Sequence, residues 1–140
     1  PTDFREAEWV QWRGDKLTLY MEKLSNTLRK IKPEIIISSS PSIYPWSRDE
    51  YLQDWISWVE KGYVDYACPQ MYRKNFADYK KEMDSLFDEY LAAPYHDRIF
   101  PGLLLKVGKY RADRELIDSM IRENRNRGVE GEVYFFYEGL

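Results

Sequence analysis

The chain has 140 residues, with 21 basic against 24 acidic side chains and a net charge of −3. Nothing in that balance attracts nucleic acid or an anionic membrane surface, and 44% hydrophobic with 32% charged residues excludes disordered, collagen-like and coiled-coil chains. A complete (β/α)8 barrel needs about 250 residues, so a chain of this length accommodates at most about half of one.

The first helical stripe starts at Asp15, a plausible N-cap, and runs through Leu17, Tyr20, Met21, Leu24, Leu28 and Ile31 until Pro33 stops it. The β-branched run Ile35-Ile36-Ile37 leads into Ser38-Ser39-Ser40-Pro41 and reads as a buried strand ending in hydroxyls. Ser47 and Glu50 have capping-box spacing, which predicts a second helix through Leu52, Trp55, Ile56 and Val59 to Gly62. A second strand follows over Val64–Tyr72, with Pro69 near its exit. Asn75 caps a third helix carrying Tyr79, Met83, Leu86, Phe87 and Leu91, which Pro94 closes. Ile99–Val107 is the third strand; Asp113 caps a fourth helix through Leu116, Met120 and Ile121 to Gly128; Val133–Tyr137 is the fourth strand. Four helices alternating with four strands through short connections predict an α/β fold with parallel strands and right-handed crossovers.

In parallel α/β folds, ligands meet the loops after the C-terminal strand ends. Those ends carry Ser38, Ser40, Ser42, Tyr44 and Trp46, then Gln70 and Tyr72, then Lys106, Lys109 and Tyr110, then Glu138. Strand alternation puts Gln70 and Tyr72 on the face of Tyr66 and Cys68, Lys106 on that of Leu104, and Glu138 on that of Phe136. Lys106 and Glu138 either neutralise one another at the rim, or Glu138 serves as proton donor or acceptor beside a lysine that lowers its pKa. Trp46, with Tyr44 beside it, suits stacking on a sugar ring as well as it suits packing. At 16% the aromatic content, with 12 Tyr and 5 Trp, exceeds what a core of this size absorbs. Trp9, Trp12, Trp55 and Trp58 fit helix packing, and Asp65, at a strand entry, fits a structural role.

Cofactor chemistry finds no support. No G-x-G-x-x-G follows a strand, and the stretch from Gly102 to Gly108-Lys109 has the wrong spacing for a phosphate loop, with Tyr110 where Ser or Thr would hold magnesium. The single histidine, His96, lies before the third strand, so neither a catalytic triad nor a histidine metal site is expected. One cysteine, Cys68, excludes an internal disulfide. No stretch approaches the roughly 18 apolar residues of a membrane span, and a chain opening in the polar segment Pro1–Glu6 reads as a piece of something longer.

Three word-like stretches go further: Ile37–Ser42; Leu52-Gln53-Asp54-Trp55 through Trp58–Tyr66 into Pro69-Gln70-Met71-Tyr72; and Gly131–Phe136. Together, in this order, they resemble glycosyl-hydrolase-like family 10. The resemblance implies bacterial (β/α)8-barrel glycoside hydrolases, often secreted or anchored in the cell envelope, with cell-wall glycan as a substrate class. It makes Trp12-Arg13-Gly14-Asp15 the entry to the helix after the fourth barrel strand, so that the chain corresponds to strands five to eight, the C-terminal half of the barrel. The family's acidic D-D-Y motif would lie upstream. Arg73 stands where many members have Trp, and Lys106-Val107-Gly108 replaces a common Ala-Tyr-Lys.

The resemblance implies a glycan as substrate; the strand-end residues Ser40, Tyr44, Trp46, Gln70, Tyr72 and Lys106 are expected to hold it, Glu138 is at most the one catalytic carboxyl in this chain with the principal acid expected outside it, and no cofactor or metal is expected. Hydrolysis normally needs two carboxyls, so the isolated chain is expected to be inactive, and a barrel that binds glycan without cleaving it, or serves as an envelope scaffold, is the alternative. Two exposed half-barrel edges predict self-association, with a homodimer as one form.

Overall fold

The computed structural model describes residues 2–136, so Glu138 lies outside the described residues. Helix α1 spans Ala7–Ile31 and starts well before Asp15. The apolar stripe extends backward through Val10, and the helix opens without a side-chain cap: Glu6 makes no capping bond, its carbonyl accepting from Val10 N at 2.9 Å. Asp15 is therefore mid-helix, its carboxylate accepting from Gln11 Nε2 at 2.8 Å. Gly14 is buried because α1 passes close to the Leu52 carbonyl, 4.0 Å from where a Cβ would sit.

The strands are shorter than the sequence suggests. β1 (Ser38–Ser39) pairs in parallel with β2 (Tyr66–Ala67), and β3 (Gly102–Leu104) pairs in parallel with β6 (Val133–Phe135). A parallel bridge between Ala67 and Ile99 connects the two pairs. Pro41, Pro69 and Pro101 shorten the ladders, since none can donate an N–H. Each still accepts from the next strand: Gln70 N to Pro41 O at 2.8 Å, Gly102 N to Pro69 O at 2.8 Å, Val133 N to Pro101 O at 3.1 Å. The expected third strand ends early. Lys106–Val107 (β4) turns through Gly108, at φ +55°, and pairs antiparallel with Tyr110–Arg111 (β5).

The expected helix from Ser47 to Gly62 is two helices, α2 (Trp46–Tyr51) and α3 (Trp55–Glu60). Leu52 breaks it with φ 62°. Ser47 is not a cap but buried inside α2, where its Oγ donates to the Gln53 carbonyl at 3.2 Å and its own carbonyl accepts from Gln53 N at 2.9 Å. The hydroxyl is committed to the corner between the helices. Gly62, at φ +69°, ends α3 as its position suggests.

The other caps match expectation. Asn75 accepts from Asp78 N at 2.8 Å at the start of α4 (Phe76–Asp84), and Asp113 accepts from Leu116 N at 2.7 Å at the start of α5 (Arg114–Asn126). α4 runs on into a π-helical turn, Ser85–Tyr90, and Pro94 opens a 3₁₀ turn, Ala93–Arg98. The core gathers Trp55 and Val59 of α3, Tyr79 and Met83 of α4, Met120 of α5, and Ala67, Ile99 and Leu103 of the strand layer. Asp65 fastens α1 to that layer: it accepts from Arg29 Nη2 on both carboxylate oxygens at 3.0 Å and from Ile37 N at 2.8 Å. The described residues thus form a mixed α/β fold whose layer is built of short parallel pairs.

Candidate functional site

Along the second strand the burial alternates. Ala67, Pro69 and Met71 are buried, while Tyr66, Cys68, Gln70 and Tyr72 turn to the opposite, more open face. There an open groove of ≈ 400 Å³ is lined by Ser42, Ile43, Trp46, Gln70, Tyr72 and Arg73. Trp46, first residue of α2, is 45% exposed, and its ring meets Tyr51 edge-on at 4.6 Å. Gln70 is tied by its backbone N–H to Pro41 and by Nε2 to the Ser40 carbonyl at 3.0 Å, so its side-chain oxygen keeps its capacity for a ligand. Tyr72 stacks on Phe135 of β6, with centroids 4.9 Å apart and planes at 29°. Partial burial pushes its phenol pKa up, so at neutral pH Tyr72 is a hydroxyl donor. Gly102 supports this ring, since a Cβ there would lie 3.0 Å from Tyr72 Cε1.

The remaining expected residues lie elsewhere. Ser40 spends its hydroxyl on the Cys68 carbonyl at 3.1 Å and meets Gln70 only through its backbone carbonyl. Tyr44 is drawn inward: its ring packs edge-on against Trp55 at 6.0 Å and Tyr90 at 5.0 Å, with the Arg48 guanidinium 5.5 Å from its centroid. Its hydroxyl donates to Asp54 Oδ1 and accepts from Arg48 Nη1, both at 3.3 Å. Burial, reinforced by the Asp54 charge, raises its pKa. Tyr44 lines a separate narrow crevice with Ile43, Trp55, Pro69, Met71, Glu82 and Leu86. Lys106 stands opposite Arg111 in the β4–β5 hairpin and does not line the groove. Tyr110 receives the Lys74 ammonium 5.3 Å from its ring centroid.

Two lining residues, Ile43 and Arg73, escaped the sequence reading as site residues, and Arg73 is the one with chemistry to offer. Arg73 follows Tyr72 directly and donates to the Tyr72 carbonyl at 3.2 Å and to Glu82 Oε1 at 2.7 Å. The available signal was its position, a cation at the exit of the strand holding Gln70 and Tyr72. The site thus offers an exposed indole, an amide, a phenol, a hydroxyl and a guanidinium around one groove. Such a set is chemically suited to stacking on a ring and hydrogen bonding to hydroxyls. Among the described residues no carboxylate lines it, and no group of His, Cys, Asp and Glu side chains could hold a metal ion. No helix among the described residues is long and apolar enough to cross a membrane.

The family model described as Glycosyl hydrolase-like 10 matches residues 1–131. A curated protein, glycosyl hydrolase DigH of Escherichia coli O6:H1 (strain CFT073), is 31% identical over 81 residues, covering 47% of this chain and 18% of its own length. No solved structure matches.

Proposed function

Because the chain belongs to the glycosyl hydrolase-like 10 family, we propose that it works as the C-terminal part of a (β/α)8 barrel that hydrolyses O-glycosidic bonds in a polysaccharide or cell-wall glycan, in or outside the bacterial envelope. The observation carrying the glycan reading is Trp46, an indole left 45% exposed above a groove that also holds Gln70 and Tyr72. An aromatic face with hydrogen-bonding groups around it matches the two sides of a pyranose: an apolar C–H face and an equatorial rim of hydroxyls. Gln70 would accept from one hydroxyl and Tyr72 would donate to another.

Cleavage asks for more than this groove. Two carboxyls must flank the bond, about 5–5.5 Å apart for retention or about 6.5–9.5 Å for inversion. In this reading Glu138, just past β6 in sequence, contributes one, and a segment beyond this chain contributes the other; the 81 residues matched to the relative cover 18% of the relative's length. The groove would then be a subsite that orients the sugar. The experiment is a titration of the full-length protein with oligosaccharides. Trp46→Ala is expected to weaken binding at least tenfold, about 1.4 kcal/mol, with a small fall in melting temperature, because the ring is nearly half exposed and packs edge-on against Tyr51. Equal affinity in wild type and variant would remove the groove from the account.

A non-catalytic glycan-binding barrel is the second reading, favoured by the absence of a carboxylate among the described residues lining the groove. It predicts that Glu138→Gln leaves oligosaccharide affinity intact and that no glycan is shortened by either form.

A further inference from the structure

We infer that this groove selects a sugar bearing a carboxylate over its neutral counterpart, and that Arg73 sets the preference; the inference rests on the glycan reading above. Among the described lining residues, Ser42, Ile43, Trp46, Gln70 and Tyr72 are uncharged, and Arg73 is the sole charged one. The guanidinium is held at two points. Nη1 donates to the Tyr72 carbonyl at 3.2 Å, and Nη2 donates to Glu82 Oε1 at 2.7 Å. Both side chains of the Arg73–Glu82 pair are about a quarter exposed, at 24% and 25%.

The Glu82 carboxylate offsets part of the charge, but of the two partners only Arg73 lines the groove, so its remaining N–H donors are the ones a groove ligand meets. Glu82 lines the narrow crevice with Tyr44, Trp55 and Leu86, while Arg73 lines the groove with Trp46 and Gln70. The Glu82 carboxylate and the Tyr72 carbonyl together restrain the guanidinium at its two Nη atoms. A guanidinium carries more N–H donors than these two bonds consume, and its planar fork matches a carboxylate bidentately. Holding the fork in advance lowers the ordering cost of binding. A carboxylate on a ring stacked against Trp46 would meet those free donors, while a neutral or esterified group would gain only the weaker bonds of an uncharged acceptor.

The test is calorimetric titration of the full-length protein with oligomers of galacturonate, glucuronate and mannuronate, each beside its methyl ester, which keeps the skeleton and removes the charge. At least one acid is expected to bind about tenfold more tightly than its ester at low salt, with the gap narrowing as salt rises. Arg73→Gln should close the gap by lowering acid affinity about tenfold more than ester affinity, and Arg73→Lys should retain part of it, since Lys keeps the charge but not the fork. A merely structural arginine would lower acid and ester affinity by the same factor and leave the gap in place. Equal binding of acids and esters by the wild type, or a gap that survives Arg73→Gln, overturns the inference and leaves the glycan reading standing. Binding of no acid, no ester and no neutral oligosaccharide overturns both.

Discussion

Tyr79 and Asn124 join α4 to α5 at a point water does not reach: both are 0% exposed, and Tyr79 Oη donates to Asn124 Oδ1 at 2.5 Å. Asn124 Nδ2 has no hydrogen-bond partner among the described residues. Tyr79→Phe removes a single oxygen with little change in volume, so the cavity cost is small and the polar cost dominates. It leaves the Asn124 carboxamide buried with both ends unpaired. An unsatisfied buried polar group costs about 1–3 kcal/mol, and about 2 kcal/mol is expected here. In a domain of this length that corresponds to a fall of roughly 6–8 °C in melting temperature. Adding Asn124→Leu replaces the stranded amide by an apolar side chain of similar size, so the double variant should recover more than half of the loss. Paired thermal and urea melts of wild type, both single variants and the double variant give the coupling. A Tyr79→Phe loss below about 0.5 kcal/mol, or a double variant as unstable as the sum of the singles, would refute the reasoning.

Further outcomes follow from the same geometry. Gly102→Ala puts a methyl group 3.0 Å from Tyr72 Cε1 and 3.1 Å from the Pro69 carbonyl, so it should cost about 1–3 kcal/mol and also weaken oligosaccharide binding, because Tyr72 must shift; unchanged melts and affinity would contradict the tight contact. Asp84 is held below its ordinary pKa first by the Lys80 hydrogen bond and then by the charges of Lys80 and Arg127, against a smaller opposing effect of burial than their sum. A depressed folded-state pKa gives stability that is present above the unfolded carboxylate pKa and lost as pH falls through the folded value. Urea midpoints between neutral pH and about pH 2.5 should therefore show a shallower acid limb in Asp84→Asn than in wild type. Ile36 is 69% exposed, and β6 leaves Val133, Tyr134 and Phe135 at 40–43%. Purified alone, the chain should self-associate through these faces, and a strictly monomeric species in light scattering at high concentration would contradict this.

Where the sequence spoke through local chemistry, the structure followed it. Asn75 and Asp113 cap their helices because a short side-chain acceptor reaches the N–H three residues on, and Gly62 and Gly128 end helices at positive φ. Tertiary effects left weaker traces. Nothing in Leu52 as a residue type announces the left-handed turn that splits α2 from α3, and Ser47, spaced as a cap, is drawn instead to Gln53. The site was legible as far as strand parity reaches: Gln70 and Tyr72 share a face because the period is two. Tyr44 and Trp46 are near neighbours in a loop, where no period applies, and packing sends them to different spaces, Tyr44 onto Trp55 and Trp46 into the groove. Arg73 depends on Glu82, a partner on the following helix that only the folded chain brings to 2.7 Å.

The central claim, that this groove serves glycan hydrolysis, is tested most directly by digesting peptidoglycan and a set of polysaccharides with the full-length protein and its Glu138→Gln variant, with products identified by mass. The account predicts that wild type releases oligosaccharides and that Glu138→Gln loses about 10²–10⁴-fold in turnover while still binding them. Release of no product from any glycan, or turnover indifferent to Glu138→Gln, would contradict it.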